Sequence, residues 1–230
     1  MFFGWYFDPT ILIVVPALIF TIWAQIKVNS SFKKYSKVAV RGGLTGARAA
    51  RKILDANGLY DVKIERVRGS MTDHYDPRTN VIRLSETVHD VASVAAVGVA
   101  AHEVGHAIQY AKSYSPIKFR MSIIPVTRVG SMLAMPIFLL GLLLANDAFL
   151  LFGIVLYSFV TLFQLVTLPV EFNASKRALA TLSGDKMLAG EELRGARAVL
   201  SAAAMTYVAA LASALLTLLR LVVLANNRRR

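Results

Sequence analysis

The chain has 230 residues, is 56% hydrophobic and carries a net charge of +12, which leaves room for one or two domains and exceeds the roughly 45–50% apolar content of ordinary soluble domains. With a mean hydropathy of +0.54, apolar bulk beside concentrated charge describes a membrane protein with basic loops rather than a nucleic-acid binder. There is no cysteine, so disulfides and thiolate ligands are excluded and any metal must be held by histidine and carboxylate.

Met1 to Pro9 contains no Lys or Arg but carries Trp5, Tyr6 and Asp8, and Thr10 to Ile26 is a 17-residue uncharged run. That length just spans a bilayer, and a cleaved signal peptide would need a positive n-region and a small-residue cleavage site. Residues 1–26 therefore read as a retained transmembrane helix, with Pro16 bending it or tolerated within it.

Residues 27–122 are polar, with 16 Lys/Arg against eight Asp/Glu. They open on a basic cluster, Lys27, Lys33, Lys34, Lys37 and Arg41, that reads as a positive-inside topology signal able to touch anionic headgroups. Thr45 can cap a helix over 46–56 that Asn57-Gly58 closes. Val62–Val67, Met71–Tyr75 and Asn80–Leu84 read as short strands around the turn residues Asp76-Pro77-Arg78-Thr79. The last strand, 80–84, offers itself as a sheet edge on which a peptide could add a strand. Ser85 or Asp90 then caps a long helix.

That helix carries His102-Glu103-Val-Gly-His106 inside a run of small and apolar residues. Residues four apart on a helix share a face, so two imidazoles can grip one ion while Glu103 stands beside it to take a proton from water. Burying two histidines and a glutamate without purpose is costly.

Residues 123–170 read as a transmembrane hairpin, with spans 123–145 and 148–170 joined by Asn146-Asp147. Arg128 and Arg220 both lie near span ends, which argues against a transporter. Residues 171–197 form a second polar helix or loop, with an interruption near Pro169, and 198–230 a fourth span and basic tail. Segments 27–122 and 171–197 hold 21 of the 26 basic residues, which assigns both to the cytoplasmic side. The tail Arg228-Arg229-Arg230 then falls outside, against the rule. The expected architecture is a mainly α membrane protein, with about four transmembrane helices and a small cytoplasmic α+β domain bearing a short β-sheet.

A catalytic zinc needs a third protein ligand. Glu171 directly follows the third span at the same predicted face as the His-Glu-x-x-His helix; on spacing alone, an interfacial carboxylate ending the span is the favoured reading.

Ala101-His-Glu-Val-Gly-His-Ala-Ile-Gln109, the hairpin, and Leu168-Pro-Val-Glu-Phe-Asn-Ala-Ser175 closely resemble the YugP-type neutral zinc metallopeptidases of bacterial membranes. The resemblance runs nearly end to end, through Phe7-Asp-Pro9, Leu54–Leu59, Thr72–Thr79 and Thr206-Tyr-Val-Ala209. More distantly, the layout is similar to the HtpX-type and CAAX-processing membrane proteases, whose Glu-x-x-Ala-Asp helix supplies the third zinc ligand. The resemblance thus implies a gluzincin-like domain in a multi-pass bacterial plasma-membrane protein, with Zn2+ on His102, His106 and Glu171 and with Glu103 as general base. It also exposes two departures. Ser175 stands where the distant families have Asp, and Asn173 where the closer family is expected to have Asp. Both are candidate hydrogen-bond partners around the ligands, without negative charge. For the oxyanion, Tyr207 and His74 are the candidates, with Tyr110 behind them. The expected partners are a peptide or protein substrate and the lipid bilayer, with no nucleic acid and no oligomeric state defined. The contrasting reading is a catalytically silent zinc-binding scaffold or chaperone-like partner, against which the intact Glu103 speaks.

Overall fold

The structure is a computed structural model and describes residues 8–228. The chain runs through α1 (Val15–Tyr35), α2 (Gly46–Ala56), β1 (Lys63–Val67), β2 (His74–Asp76), β3 (Val81–Ser85), α3 (Val94–Ala111), α4 (Ser115–Leu143), α5 (Asp147–Gly184) and α6 (Gly190–Arg228). It is mainly α, with one small three-stranded open sheet. Two compact units are formed. One takes the described residues up to Trp23, Arg120–Val166 and those from Tyr207 onward; the other takes Ala24–Phe119 and Thr167–Thr206.

Among the described residues, α4, α5 and α6 are long and apolar enough to cross a membrane, which makes this an integral membrane protein. The N-terminal segment begins differently from the expected helix. Pro9–Ile13 is a 3-10 turn capped by Asp8, whose side chain accepts from Thr10 N–H. Pro16 is the second residue of α1, where its missing N–H costs no helical bond, so it helps start the helix instead of bending it. Trp5 and Tyr6 of the expected aromatic flank lie outside the described residues, as do Arg229 and Arg230 of the basic tail.

In the first unit Asn146 turns α4 into α5, its Oδ1 accepting from the N–H groups of Ala148 and Phe149 at 2.9 and 3.3 Å. Phe138, Leu150 and Leu221 are buried together. Arg220 is bonded to Asp8, Nη2 to Oδ2, at 2.8 Å.

The second unit holds the sheet. β3 lies in the middle, parallel to β1 and antiparallel to β2. The expected edge at 80–84 is therefore wrong: Lys63–Val67 and His74–Asp76 flank this strand on its two sides, so its backbone groups are spent on its neighbours. β3 is almost wholly buried, with Ile82 and Leu84 on one face and Val81, Arg83 and Ser85 on the other, as suits a central strand. Ile82 and Leu84 join Ile53 and Leu54 of α2 and Val94, Val97 and Val104 of α3 in one core.

Thr45 caps α2, accepting from Arg48 N–H at 3.3 Å, and Gly58 follows with φ 71°. Ser93, not Ser85 or Asp90, caps α3; its hydroxyl accepts from Ala96 N–H at 3.2 Å. Ser85 is committed to Asp73, which accepts from its N–H at 2.7 Å and its hydroxyl at 3.0 Å. Burial pushes the Asp73 carboxyl above its ordinary range despite those bonds.

Pro169 does not interrupt the chain, since α5 continues through it to Gly184. Proline removes one backbone donor and leaves the rest of the ladder intact, which neighbouring packing can tolerate. The polar segment 171–197 is accordingly no element of its own. It is the end of α5, a turn, and the beginning of α6.

Candidate metal centre

His102 and His106 lie one turn apart on α3, their rings edge to face with centroids 4.8 Å apart. Glu171 reaches them from α5 and is 3% exposed. One ligand atom from each of the three lies within 4.8 Å of the others. The finer geometry concerns Glu171 Oε2, which is 3.3 Å from His102 Nε2 and 3.5 Å from His106 Nε2. A tetrahedral ion with ligands at 2.0–2.2 Å has ligand-to-ligand edges of about 3.3–3.6 Å. The donor set and these two separations therefore suit a metal ion of zinc's kind.

The two helices come this close because residue 105 has no side chain. A Cβ there would stand 2.7 Å from the carbonyl oxygen of Ala174 and 3.1 Å from its Cα. Gly105 lies between the two histidines in sequence and faces the turn after Glu171, so the α3–α5 contact itself sets the ligand spacing.

The outer faces of both imidazoles are held. His106 Nδ1 is 3.0 Å from Gln109 Oε1, and His102 Nδ1 is 3.1 Å from Ser175 Oγ. A metal held at Nε2 would leave the proton on Nδ1 to donate outward, which would fix tautomer and ring angle. Gln109 is completely buried. Its Nε2 donates to Val170 O at 2.8 Å and to Asn173 Oδ1 at 3.1 Å, and Arg177 Nε donates to the same Asn173 oxygen at 2.7 Å. Asn173 thus acts one step away, on Gln109, and touches neither ring. Gln109 is the residue that sequence reasoning missed. Its only sequence signal is its position three after His106, on the same helix face.

Burial would push the His106 imidazole down, but the adjoining Glu171 carboxylate, with Glu103, outweighs it and pushes it up. Glu103 is buried on α3 and accepts a 3.0 Å hydrogen bond from the Tyr75 backbone N–H. This N–H points from β2 away from its pairing with β3, so one of the two edge strands of the sheet lies against the glutamate.

The remaining candidates lie on β2, α3 and α6. His74 is exposed on β2, its Nδ1 2.9 Å from Thr72 O. Tyr110 packs edge-on against Tyr75 at 5.5 Å. Tyr207 belongs to α6 and to the first unit.

A buried His, His, Glu cluster in a chain with membrane-length helices supports a membrane-associated metal-site enzyme. The family described as "Putative neutral zinc metallopeptidase" matches residues 10–226. The chain is also 49% identical over 219 residues to the "Putative membrane protease YugP" of Bacillus subtilis (strain 168), covering 95% of this chain and 97% of that protein. It belongs to this zinc metallopeptidase family. No solved structure matches it.

Proposed function

We propose that this protein is a zinc-dependent endopeptidase of the bacterial plasma membrane, of gluzincin type, with its site at the cytoplasmic face. The observation that carries the reading is the pair of 3.3 and 3.5 Å separations between Glu171 Oε2 and the two histidine Nε2 atoms, with a buried glutamate next to the first histidine. His102, His106 and Glu171 would hold the ion, and Gln109 and Ser175 would orient the rings. Bound zinc supplies Lewis acidity, polarising a scissile carbonyl and acidifying water. Glu103 takes the proton from the attacking water and passes it to the leaving amine. The Tyr75 N–H anchors one carboxylate oxygen and leaves Oε1 for that transfer. Tyr207 is kept as the oxyanion donor proposed from sequence, with His74 as the other candidate.

Four spans remain the topology that this reading uses, with α1 as the first. Its support is the set of apolar side chains that α1 exposes, Leu18, Ile19, Ile22, Trp23 and Ile26, an arrangement suited to lipid. Residues 27–122 and 171–197 then face the cytoplasm by their charge.

The test is hydrolysis of an unfolded protein and of a membrane-protein substrate by the purified wild type and by Glu103→Gln, with zinc content measured on both. The expected result is equal zinc and a rate at least a hundredfold lower in the variant, given the roughly 10²–10⁴-fold worth of a positioned base. Equal activity would remove Glu103 from the chemistry. Zinc retention without hydrolysis by either protein would favour the silent scaffold.

A further inference from the structure

A cleft of about 550 Å³ opens between the end of α5 and the start of α6, within the size range of ligand sites. Its walls are mainly apolar, with Phe172, Leu200 and Met205 among them, and they also carry Lys176 and Arg197. Both cations are exposed, and neither is paired among the described residues. Nearby carboxylates are engaged elsewhere. Glu191 pairs with Arg194, and Glu192 accepts from the Arg41 N–H at 2.9 Å. An apolar trough with two uncompensated positive charges is complementary to a molecule with one anionic end and a hydrocarbon body.

Position in the membrane identifies that molecule. Arg197 immediately precedes the last span, and Lys176 lies six residues beyond the third, about 9 Å along a helix. On the topology proposed above, on which this inference rests, both stand at headgroup depth on the basic, cytoplasmic side, where pockets between membrane helices hold acidic headgroups. We infer that the cleft binds one anionic phospholipid, its phosphate between Lys176 and Arg197 and an acyl chain along Phe172, Leu200 and Met205. Ser175 lines the same cleft and lies 3.1 Å from His102, so the lipid sits one side chain away from a metal ligand.

The experiment uses the full-length protein in nanodiscs of equal phosphatidylglycerol and phosphatidylcholine, with retained lipid read by native mass spectrometry. Lys176→Gln/Arg197→Gln removes the charges at exposed positions. Ala180→Trp fills the cleft from its exposed wall. The wild type is expected to retain one phosphatidylglycerol in preference to phosphatidylcholine. The double variant should bind it about thirtyfold more weakly, two surface cations' worth of attraction, and Ala180→Trp should lose it with helicity and zinc content unchanged. Any of four results overturns the proposal: no preference for the anionic lipid, retention by both variants, displacement by glycerol phosphate as effectively as by the lipid, or displacement by an acidic peptide, which would make the cleft a substrate subsite. No arm measures hydrolysis, so the outcome stands apart from the peptidase reading.

Discussion

Replacing Gly105 with alanine tests whether the α3–α5 contact sets the ligand spacing. The new Cβ would meet the Ala174 carbonyl oxygen at 2.7 Å, where ordinary contact begins at 3.4 Å, so the helices must part locally by about 0.7 Å. Added to the 3.5 Å between His106 Nε2 and Glu171 Oε2, this gives an edge of about 4.2 Å and puts a shared tetrahedral ion about 2.6 Å from both atoms. Zinc requires 2.0–2.2 Å, with a tolerance of about 0.2 Å. Alanine is the better helix former by about 1 kcal/mol, so any loss is steric. Zinc affinity should fall at least tenfold in competition with a chromogenic chelator, and hydrolysis should fall with it. Gly98→Ala is the control on the same helix. Its Cβ would meet Ala196 Cβ at 3.4 Å, an ordinary contact, and affinity should stay within twofold. A folded Gly105→Ala protein that binds zinc as tightly as wild type would refute the reasoning.

Other outcomes follow from the same geometry. Gln109→Ala should lower zinc affinity about 10–100-fold, the usual effect of losing a ligand's hydrogen-bond partner; chelator competition measures it, and Gln109→Glu, which keeps an acceptor for His106 Nδ1, should recover part of the loss. Chelating the metal should destabilise the second unit. Zinc at a thousandfold above its dissociation constant contributes about 4 kcal/mol, so thermal unfolding should move to lower temperature and return on adding zinc back. The Asp76 carboxyl is pulled down to about 2, first by the Arg78 N–H and then by Thr79 and Arg83. Its folded value lies below the ordinary 3.8, so its contribution to the β2–β3 turn is present above that pH and is lost as pH falls toward 2. Asp76→Asn should remove that acid-dependent step from hydrogen exchange across residues 74–83.

Much of the site was legible because its chemistry is local. His102, Glu103 and His106 need only one helical turn to be placed relative to each other, and three long apolar runs announce membrane-length helices by composition alone. The cap at Thr45 was equally local. Readings that depended on a competing partner went astray. Ser85 is a good capping residue, but Asp73 occupies it. Pro169 is a good helix breaker, but α5 runs through it.

The sequence by itself determined the donor types, the helical spacing of the two histidines and the candidate carboxylate beyond the hairpin. Only the tertiary structure decided that β3 is central and that β1 and β2 are the edges, because strand order depends on pairing between segments and not on the pattern within one. It alone revealed that Gln109 is anchored across to Val170 of α5, and that Gly105 is the reason that Glu171 comes within reach. Both are contacts between α3 and α5, residues 61 to 69 apart in the chain, and no local periodicity encodes a distance across two packed helices.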